Sequence, residues 1–286
     1  MSSGDSPNQE FIDVWNKILV PKFTRFRDVF VRQAQEHSDV ALARHPPRAG
    51  ERVLDVGCGF GETTIQIAQL VGATGAAVGL DPCEAFLETG RADARAAGLS
   101  NVSFVNADAQ THTFDQKFDL IFGRFGIMFF AQPVIALRNL RAQLKPGGRA
   151  LFVVWRTLEE NPPFAVAKKT ARTHLPAPPD DGAKCGPGPF SMADPETTRA
   201  QFTAAGFKDV EIEPIDVRAI VGVTIEEALD IATMLGPAGE IVREAGPLGQ
   251  EKLPLILRDL AAALEPWKEA GGVIAPQASW CISANA

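Results

Sequence analysis

Short apolar runs rich in β-branched residues alternate with stretches of helical spacing through the middle of the chain. Such alternation predicts a parallel α/β sheet with helices between its strands. The predicted strands lie at residues 52–56, 76–80, 102–105, 118–122, 150–155 and 210–217. The tail at 278–284 alternates with period two and therefore predicts a closing antiparallel strand.

Three segments fall outside this alternation. The expected division is an N-terminal helical cap segment at 1–35, a core at 36–222 and 276–286 with a loop insertion at 157–193, and a helical cap or lid at 223–275. Within the lid, 236–249 is rich in glycine and proline and predicts a hinge between two helices. Ligands bind at the carboxyl ends of strands in open α/β sheets, so we expect both caps to cover that edge and to move.

The loop after the first predicted strand is the most informative motif. Asp55 ends an apolar run and is followed by Gly57, Gly59 and Gly61, directly before a helical pattern. Glycine is required where the backbone takes positive φ or approaches a ligand closely. The dinucleotide fingerprint Gly-x-Gly-x-x-Gly expects a third glycine at position 62, where this chain has Glu62. The spacing therefore disfavours an NAD(P)-dependent oxidoreductase.

With its downstream motifs, this loop resembles class I S-adenosylmethionine-dependent methyltransferases. The resemblance covers residues 50–155 and also rests on Phe-Asp-Leu-Ile at 118–121 and Leu-Lys-Pro-Gly-Gly-Arg at 144–149. It implies an α/β fold with a Rossmann-like seven-stranded sheet, six strands parallel and one antiparallel, here with helical cap insertions. It also implies S-adenosylmethionine as cofactor, S-adenosylhomocysteine as product, and a likeness to ubiquinone, menaquinone and secondary-metabolite methyltransferases.

The resemblance implies a set of cofactor-binding residues. Asp81 would accept the ribose hydroxyls, and Asp108 and Ala109 would hold the adenine, although Asp108 could instead cap a turn. Arg124 could bind the cofactor carboxylate, pair with Asp55 or Glu62, bind a substrate anion, or lie at the surface. The complete set is Asp55, Gly57, Cys58, Gly59, Gly61, Asp81, Pro82, Asp108, Ala109, Gly123 and Arg124.

For the acceptor, we predict an apolar chamber whose walls are Trp15, Phe23, Phe125, Met128 and Phe129; core packing is the alternative for each. The sulfonium already activates the methyl group, so in-line displacement needs alignment and a dry site more than acid–base help.

No catalytic residue is assigned, and His174, His37 and His112 are the only candidate bases. No metal is expected, because the histidines lack ligand spacing. Asn-Pro-Pro-Phe at 161–164 is interpreted as a turn.

The composition of the chain limits which binding partners and which cellular location are expected. A net charge of −7 and a pI near 5.2 argue against nucleic acid. Four cysteines without metal spacing, a polar N-terminus and no apolar run of 18 residues favour a cytoplasmic protein with reduced thiols and no membrane span. The sequence leaves open whether the protein forms a homodimer. The leading hypothesis is methyl transfer to the oxygen, nitrogen or carbon of a small, largely apolar acceptor; the alternative is a non-catalytic adenosylmethionine-binding regulatory or interaction protein.

Overall fold

The structure is a computed structural model that describes residues 8–176 and 187–286. Its centre is a mixed sheet in the order β3-β2-β1-β4-β5-β8-β6, in which β8 runs antiparallel to both neighbours and β7 pairs with β8 alone. The strands are β1 (Arg52–Val56), β2 (Ala76–Asp81), β3 (Val102–Asn106), β4 (Phe118–Arg124), β5 (Leu144–Trp155), β6 (Lys208–Gly222), β7 (Lys268–Glu269) and β8 (Gly272–Asn285). The predicted sheet is confirmed, and the two-residue β7 is an addition to it.

Helices flank the sheet on both faces. None of those in the described ranges is both long and apolar enough to cross a bilayer. They are α1 (Gln9–Val14), α2 (Val20–Arg25), α3 (Arg27–Arg44), α4 (Glu62–Val71), α5 (Glu84–Ala96), α6 (Pro133–Ala142), α7 (Pro162–His174), α8 (Pro195–Ala204), α9 (Ile225–Met234), α10 (Gly236–Glu244) and α11 (Gly246–Leu264), with a π-helical segment at Trp15–Leu19 and short 3-10 turns at Ile127–Phe129 and Glu265–Trp267.

The apolar runs of the strands are continuous because both faces of the sheet are covered. Successive residues of β1 point to opposite sides. Val53 packs in a cluster with residues of α3 and α4, and Leu54 packs in a second cluster with residues of α6 and α8. This two-sided burial fixes the sheet and leaves its carboxyl edge free to carry a site.

Two local predictions are wrong. Residues 236–249 form α10 and most of the first turn of α11 rather than a Gly-Pro hinge, since both helices begin with a proline in their first turn, where its missing N–H is tolerated. Asn161-Pro162-Pro163-Phe164 begins α7 rather than forming an isolated turn. The Asn161 side chain donates to the Ala278 carbonyl and accepts from the Ala278 amide, both at 3.0 Å, which fastens α7 to β8.

Some expectations fall partly outside the described residues, namely the polar N-terminus at 1–7, the insertion at 177–186 and Cys185. The described cysteines, Cys58, Cys83 and Cys281, are free and buried.

Candidate functional site

The glycine loop joins β1 to α4, and its three glycines take positive φ for different reasons. The φ angles are +67° at Gly57, +53° at Gly59 and +82° at Gly61. A Cβ on Gly57 would lie 2.9 Å from the Gly126 Cα, and one on Gly61 would lie 2.5 Å from the Phe104 ring. A Cβ on Gly59 would meet nothing within 4 Å. Gly57 and Gly61 are therefore needed for packing, whereas Gly59 presents bare backbone to open space.

Two other predicted cofactor residues pack inside the protein. Cys58 is buried, and its Sγ would lie 2.8 Å from a Cβ on Gly79. Gly123 lies against β1, because a Cβ there would approach the Val56 carbonyl oxygen to 2.9 Å. Both residues support the loop through packing.

Asp81 ends β2 and ties the loop to the start of α5. Its Oδ2 accepts the Gly59 amide at 3.0 Å and its Oδ1 accepts the Cys83 amide at 2.9 Å. Burial raises the pKa of Asp81 to about 6, although these hydrogen bonds oppose the rise. Each carboxylate oxygen has a second lone pair available to a ligand. The neighbouring Pro82 carbonyl accepts from the side chain of Asn16 at 3.3 Å, which brings the N-terminal segment to the same edge.

Asp55 lies beneath the loop rather than in the open. Its Oδ2 accepts the Thr64 hydroxyl of α4 at 2.7 Å, and the residue is 2% exposed. Burial raises the pKa of Asp55 to about 7, against the opposing effect of the Thr64 hydrogen bond. An acid with a raised pKa under a glycine loop marks a candidate functional site.

Arg124 ends β4 and pairs with Glu62, the first residue of α4. The guanidinium contacts Glu62 Oε1 and donates to the Ser38 hydroxyl of α3 at 3.2 Å. Of the alternatives left open by the sequence, this is the one the structure shows. Glu62 Oε2 is buried and has no hydrogen-bond partner among the described residues.

At the predicted adenine site, Asp108 follows β3 and caps its own turn, because its Oδ1 accepts the Gln110 amide at 2.9 Å. Ala109 is buried, and its carbonyl accepts from Asn139 at 3.0 Å. Gln110, which the sequence reasoning missed, accepts the Gln132 amide at 2.9 Å, whereas its Nε2 is buried without a partner in the described chain. No motif signals this glutamine.

Three of the predicted acceptor residues meet over the carboxyl edge. The Trp15 ring lies 5.3 Å from Phe23 and 5.2 Å from Phe129, measured between centroids. Phe11 stacks on Phe129 at 5.6 Å, and Phe86 of α5 meets Phe23 edge-on at 6.5 Å. The N-terminal segment therefore brings an aromatic cluster to the end of the sheet.

Phe125 belongs to a different cluster. Its backbone has φ of +59°, and its ring stacks on Trp155 at 3.9 Å with 8° between the planes. His37 meets both rings edge-on, lies 2.8 Å from the Ser279 hydroxyl and 3.2 Å from Gln277 Oε1, and burial lowers its pKa to about 4. Trp155 ends β5, next to β4, and Gln277 and Ser279 lie on β8. They were missed because only the tertiary fold brings these strands together at His37 of α3.

The remaining candidates lie elsewhere. Met128 is fully buried in the core, where its sulfur accepts the Trp155 amide at 3.3 Å, so core packing is the observed alternative. His174 pairs with Asp259 at 2.7 Å, between α7 and α11. His112 packs edge-on against Phe114 at 4.6 Å. Of the three candidate bases, His37 is the one that contacts a predicted acceptor residue, Phe125, within the part of the chain that the structure describes.

One group of possible metal ligands occurs in the described ranges. Ligand atoms of His45, Glu213 and Cys281 lie within 4.8 Å of one another. His45 Nε2 and Glu213 Oε2 already share a hydrogen bond at 3.1 Å, and burial raises the pKa of the Cys281 thiol to about 12. The group is therefore occupied by its own interactions.

The strand order, the glycine loop and the acid that ends β2 are typical of the fold of class I S-adenosylmethionine-dependent methyltransferases. Residues 47–184 match the model of a family described as a methyltransferase domain.

Two curated relatives match the sequence of this chain over part of their own length. The aklanonic acid methyltransferase DauC of Streptomyces sp. strain C5 is 38% identical over 107 residues, which is 37% of this chain and 49% of that protein. The ubiquinone/menaquinone biosynthesis C-methyltransferase UbiE of Pseudomonas fluorescens is 43% identical over 108 residues, 37% of this chain and 42% of that protein. The chain thus spans about half or less of the length of these two relatives.

Solved structures share the fold. The YcgJ protein of Bacillus subtilis superposes with a TM-score of 0.52 at 18% identity, covering 86% of this chain and 96% of that one. Phosphoethanolamine N-methyltransferase 2 of Haemonchus contortus, solved with S-adenosyl-L-methionine, gives a TM-score of 0.52 at 16% identity, covering 99% of this chain and 58% of that one. At these identities the likeness concerns the fold alone.

Proposed function

We propose that this protein transfers the methyl group of S-adenosylmethionine to a small, largely apolar acceptor. The observation that carries the proposal is the open side of Gly59 next to the Asp81 carboxylate. Bare backbone beside an acid at the end of β2 suits a nucleoside whose ribose hydroxyls need an acceptor. The buried, unpartnered Glu62 Oε2 and Gln110 Nε2 are further polar atoms that a ligand can satisfy. The residues present therefore fit the cofactor.

In this proposal the chain supplies binding and alignment. When bound, S-adenosylmethionine supplies an electrophilic methyl group on a sulfonium. Asp81 receives the ribose, the segment at Asp108–Gln110 holds the adenine, and the loop from Gly57 to Gly61 lies against the ligand. Holding the acceptor in line with the methyl group can contribute about 7–11 kcal/mol in the best intramolecular cases.

The aromatic cluster of Trp15, Phe23 and Phe129 supports an apolar acceptor. The three rings pack at centroid distances of 5.2–5.3 Å and place an apolar surface at the sheet edge. Dispersal of the sulfonium charge would be favoured if this surface closed into a dry site around the ligand. The names of the relatives point the same way, since they refer to aklanonic acid and to ubiquinone and menaquinone biosynthesis. The acceptor atom is oxygen, nitrogen or carbon.

The proposal is tested by alanine at Gly59, with Gly98 as the matched control. Both glycines have positive φ and nothing within 4 Å of an added Cβ, but Gly98 lies beyond the end of α5 at the opposite edge. Each substitution should cost about 1–2 kcal/mol of stability through left-handed strain. Only Gly59→Ala should also abolish binding of S-adenosylhomocysteine in isothermal titration.

Three outcomes separate the alternatives. The proposal would be overturned if the wild type bound NAD in place of S-adenosylhomocysteine, or if Gly59→Ala and Gly98→Ala bound the ligand equally well. The non-catalytic alternative would be favoured if the wild type bound the ligand but mass spectrometry detected no methyl transfer to any of a panel of quinols and phenols.

A further inference from the structure

The binding scheme above assigns no particular group of the ligand to one buried charge at the carboxyl edge. Glu62 is the first residue of α4, directly after Gly61, and only one of its carboxylate oxygens is used. Oε1 contacts the Arg124 guanidinium, whereas Oε2 is buried and has no partner in the described ranges. A buried carboxylate oxygen without a donor is destabilising, so its presence needs an explanation.

The same chain builds a fully bonded version of this pair elsewhere. Glu51 Oε1 and Oε2 contact Arg149 Nη1 and Nη2 at 2.5 and 2.9 Å, and Oε2 also accepts the Arg48 amide at 2.7 Å. Glu51 and Glu62 are both paired with an arginine and both mostly buried. In the structural pair of Glu51 and Arg149, both carboxylate oxygens therefore have partners. Glu62 differs because its Oε2 has no partner in the described ranges.

The sheet order places Glu62 at one end of the expected ligand. Asp81 ends β2, Arg124 ends β4, and β1 with its glycine loop lies between them. A ligand whose ribose is at Asp81 and which crosses the loop reaches the Arg124–Glu62 pair with its other end. In S-adenosylmethionine that end is an amino acid, with an ammonium and a carboxylate.

The charges favour the ammonium as the group next to Glu62. Asp55 interacts electrostatically with two further acids, Glu62 and Asp81, and with one cation, Arg124. Asp55 accepts the Thr64 hydroxyl through Oδ2 and Asp81 accepts two amides, whereas Glu62 is the one of these three acids with a buried oxygen that lacks any partner in the described residues. We propose, on the basis of the function proposed above, that Glu62 Oε2 accepts a hydrogen bond from the ammonium of the cofactor and thereby selects ligands that carry the amino-acid end.

In this scheme Arg124 is a positioning residue. Its bonds to Glu62 Oε1 and to Ser38 hold the carboxylate against α3 and β4, so that Oε2 is oriented before the ligand arrives. Pre-organisation of this kind reduces the ordering that binding requires.

The test is isothermal titration of Glu62→Gln with three ligands. These are S-adenosylhomocysteine, its deamino analogue, and 5′-methylthioadenosine, which keeps the nucleoside and the thioether but lacks the amino-acid end. Loss of the charge-assisted hydrogen bond should weaken S-adenosylhomocysteine about tenfold. Affinity for 5′-methylthioadenosine should stay within about twofold, and the wild type should itself lose about tenfold on the deamino analogue.

Glu51→Gln is the control, because it removes the same charge from an arginine pair at the other edge of the sheet. It should leave all three affinities unchanged. Equal weakening of S-adenosylhomocysteine and 5′-methylthioadenosine by Glu62→Gln, or no weakening of either, would overturn the role of Glu62. Failure of the wild type to bind any of the three ligands would instead overturn the proposed function, so the two failures are distinguishable.

Discussion

At the amino ends of the parallel strands, the partly buried acids have hydrogen-bond or ion-pair partners for both carboxylate oxygens. At the carboxyl ends, the buried acids have fewer such partners. Burial alone would raise the pKa of Glu51, yet the hydrogen bonds from Arg149 and from the Arg48 amide hold it below its ordinary value. The pKa of Asp119 is likewise lowered, because Lys145 and the Arg52 amide outweigh burial. At the other edge, burial raises the pKa of Asp55 to about 7 and that of Asp81 to about 6.

The contrast separates groups that stabilise the fold from groups that are held for a ligand. A lowered acid pKa means that the folded state prefers the charge, and a raised one means that the charge opposes folding. Excess negative charge in a buried site is unfavourable until a cationic ligand arrives, and this is expected at functional sites. The predictions below test this division.

The largest effect is expected for Asp81→Ala. The substitution removes the acceptor of the Gly59 and Cys83 amides and, in our proposal, the ribose contact. Affinity for S-adenosylhomocysteine should fall about a hundredfold or more. Asp119→Ala, which removes the acceptor of the Arg52 amide at the opposite edge, should leave the affinity unchanged in the same titration. Unchanged affinity in Asp81→Ala would show that this acid does not hold the ribose.

An intermediate effect is expected for Asp55→Asn, and it depends on pH. The pKa of Asp55 rises from 3.8 to about 7 on folding. Its contribution to stability is therefore complete below pH 3.8 and is lost as the pH rises through 7. Asparagine does not ionise and can still accept the Thr64 hydroxyl. Urea unfolding should show the variant to be more stable than the wild type at pH 8, by on the order of 2 kcal/mol, with the gap closing towards pH 5.

Asp119→Asn is the matched control for that experiment. Because the pKa of Asp119 is lowered, its contribution is present above the unfolded value and is lost only at lower pH. The variant should be less stable than the wild type by the same amount at pH 5 and pH 8. If Asp55→Asn behaved in the same way, Asp55 would be a saturated structural acid and the division between the two edges would fail.

Local signals explain how much could be predicted from the sequence. The loop from Asp55 to Gly61 and the strands around it follow from residues close together in the chain, and the structure confirms the sheet. Arg124 had several alternatives, and the choice of Glu62 depends on contact between β4 and α4. The cluster of His37 with Gln277 and Ser279 joins residues about 240 apart, for which no local pattern exists. In α10 and α11, glycine and proline were interpreted as loop signals although proline is compatible with a first helical turn.

The smallest effect concerns the contact between the N-terminal segment and the cap. Arg25 of α2 pairs with Asp230 of α9 at 2.6 Å, and both side chains are about half exposed. Such a pair contributes about 0–1 kcal/mol, so Arg25→Met should barely change global unfolding. If these helices act as a lid, Arg25→Met should nevertheless raise the rate of hydrogen exchange in 8–35 and 225–244. Binding of S-adenosylhomocysteine together with the acceptor should slow hydrogen exchange in those two segments and in 236–252. Arg218→Met removes an equally exposed pair with Glu269 and should change neither segment. Equal exchange with and without both ligands would identify the cap as a static wall.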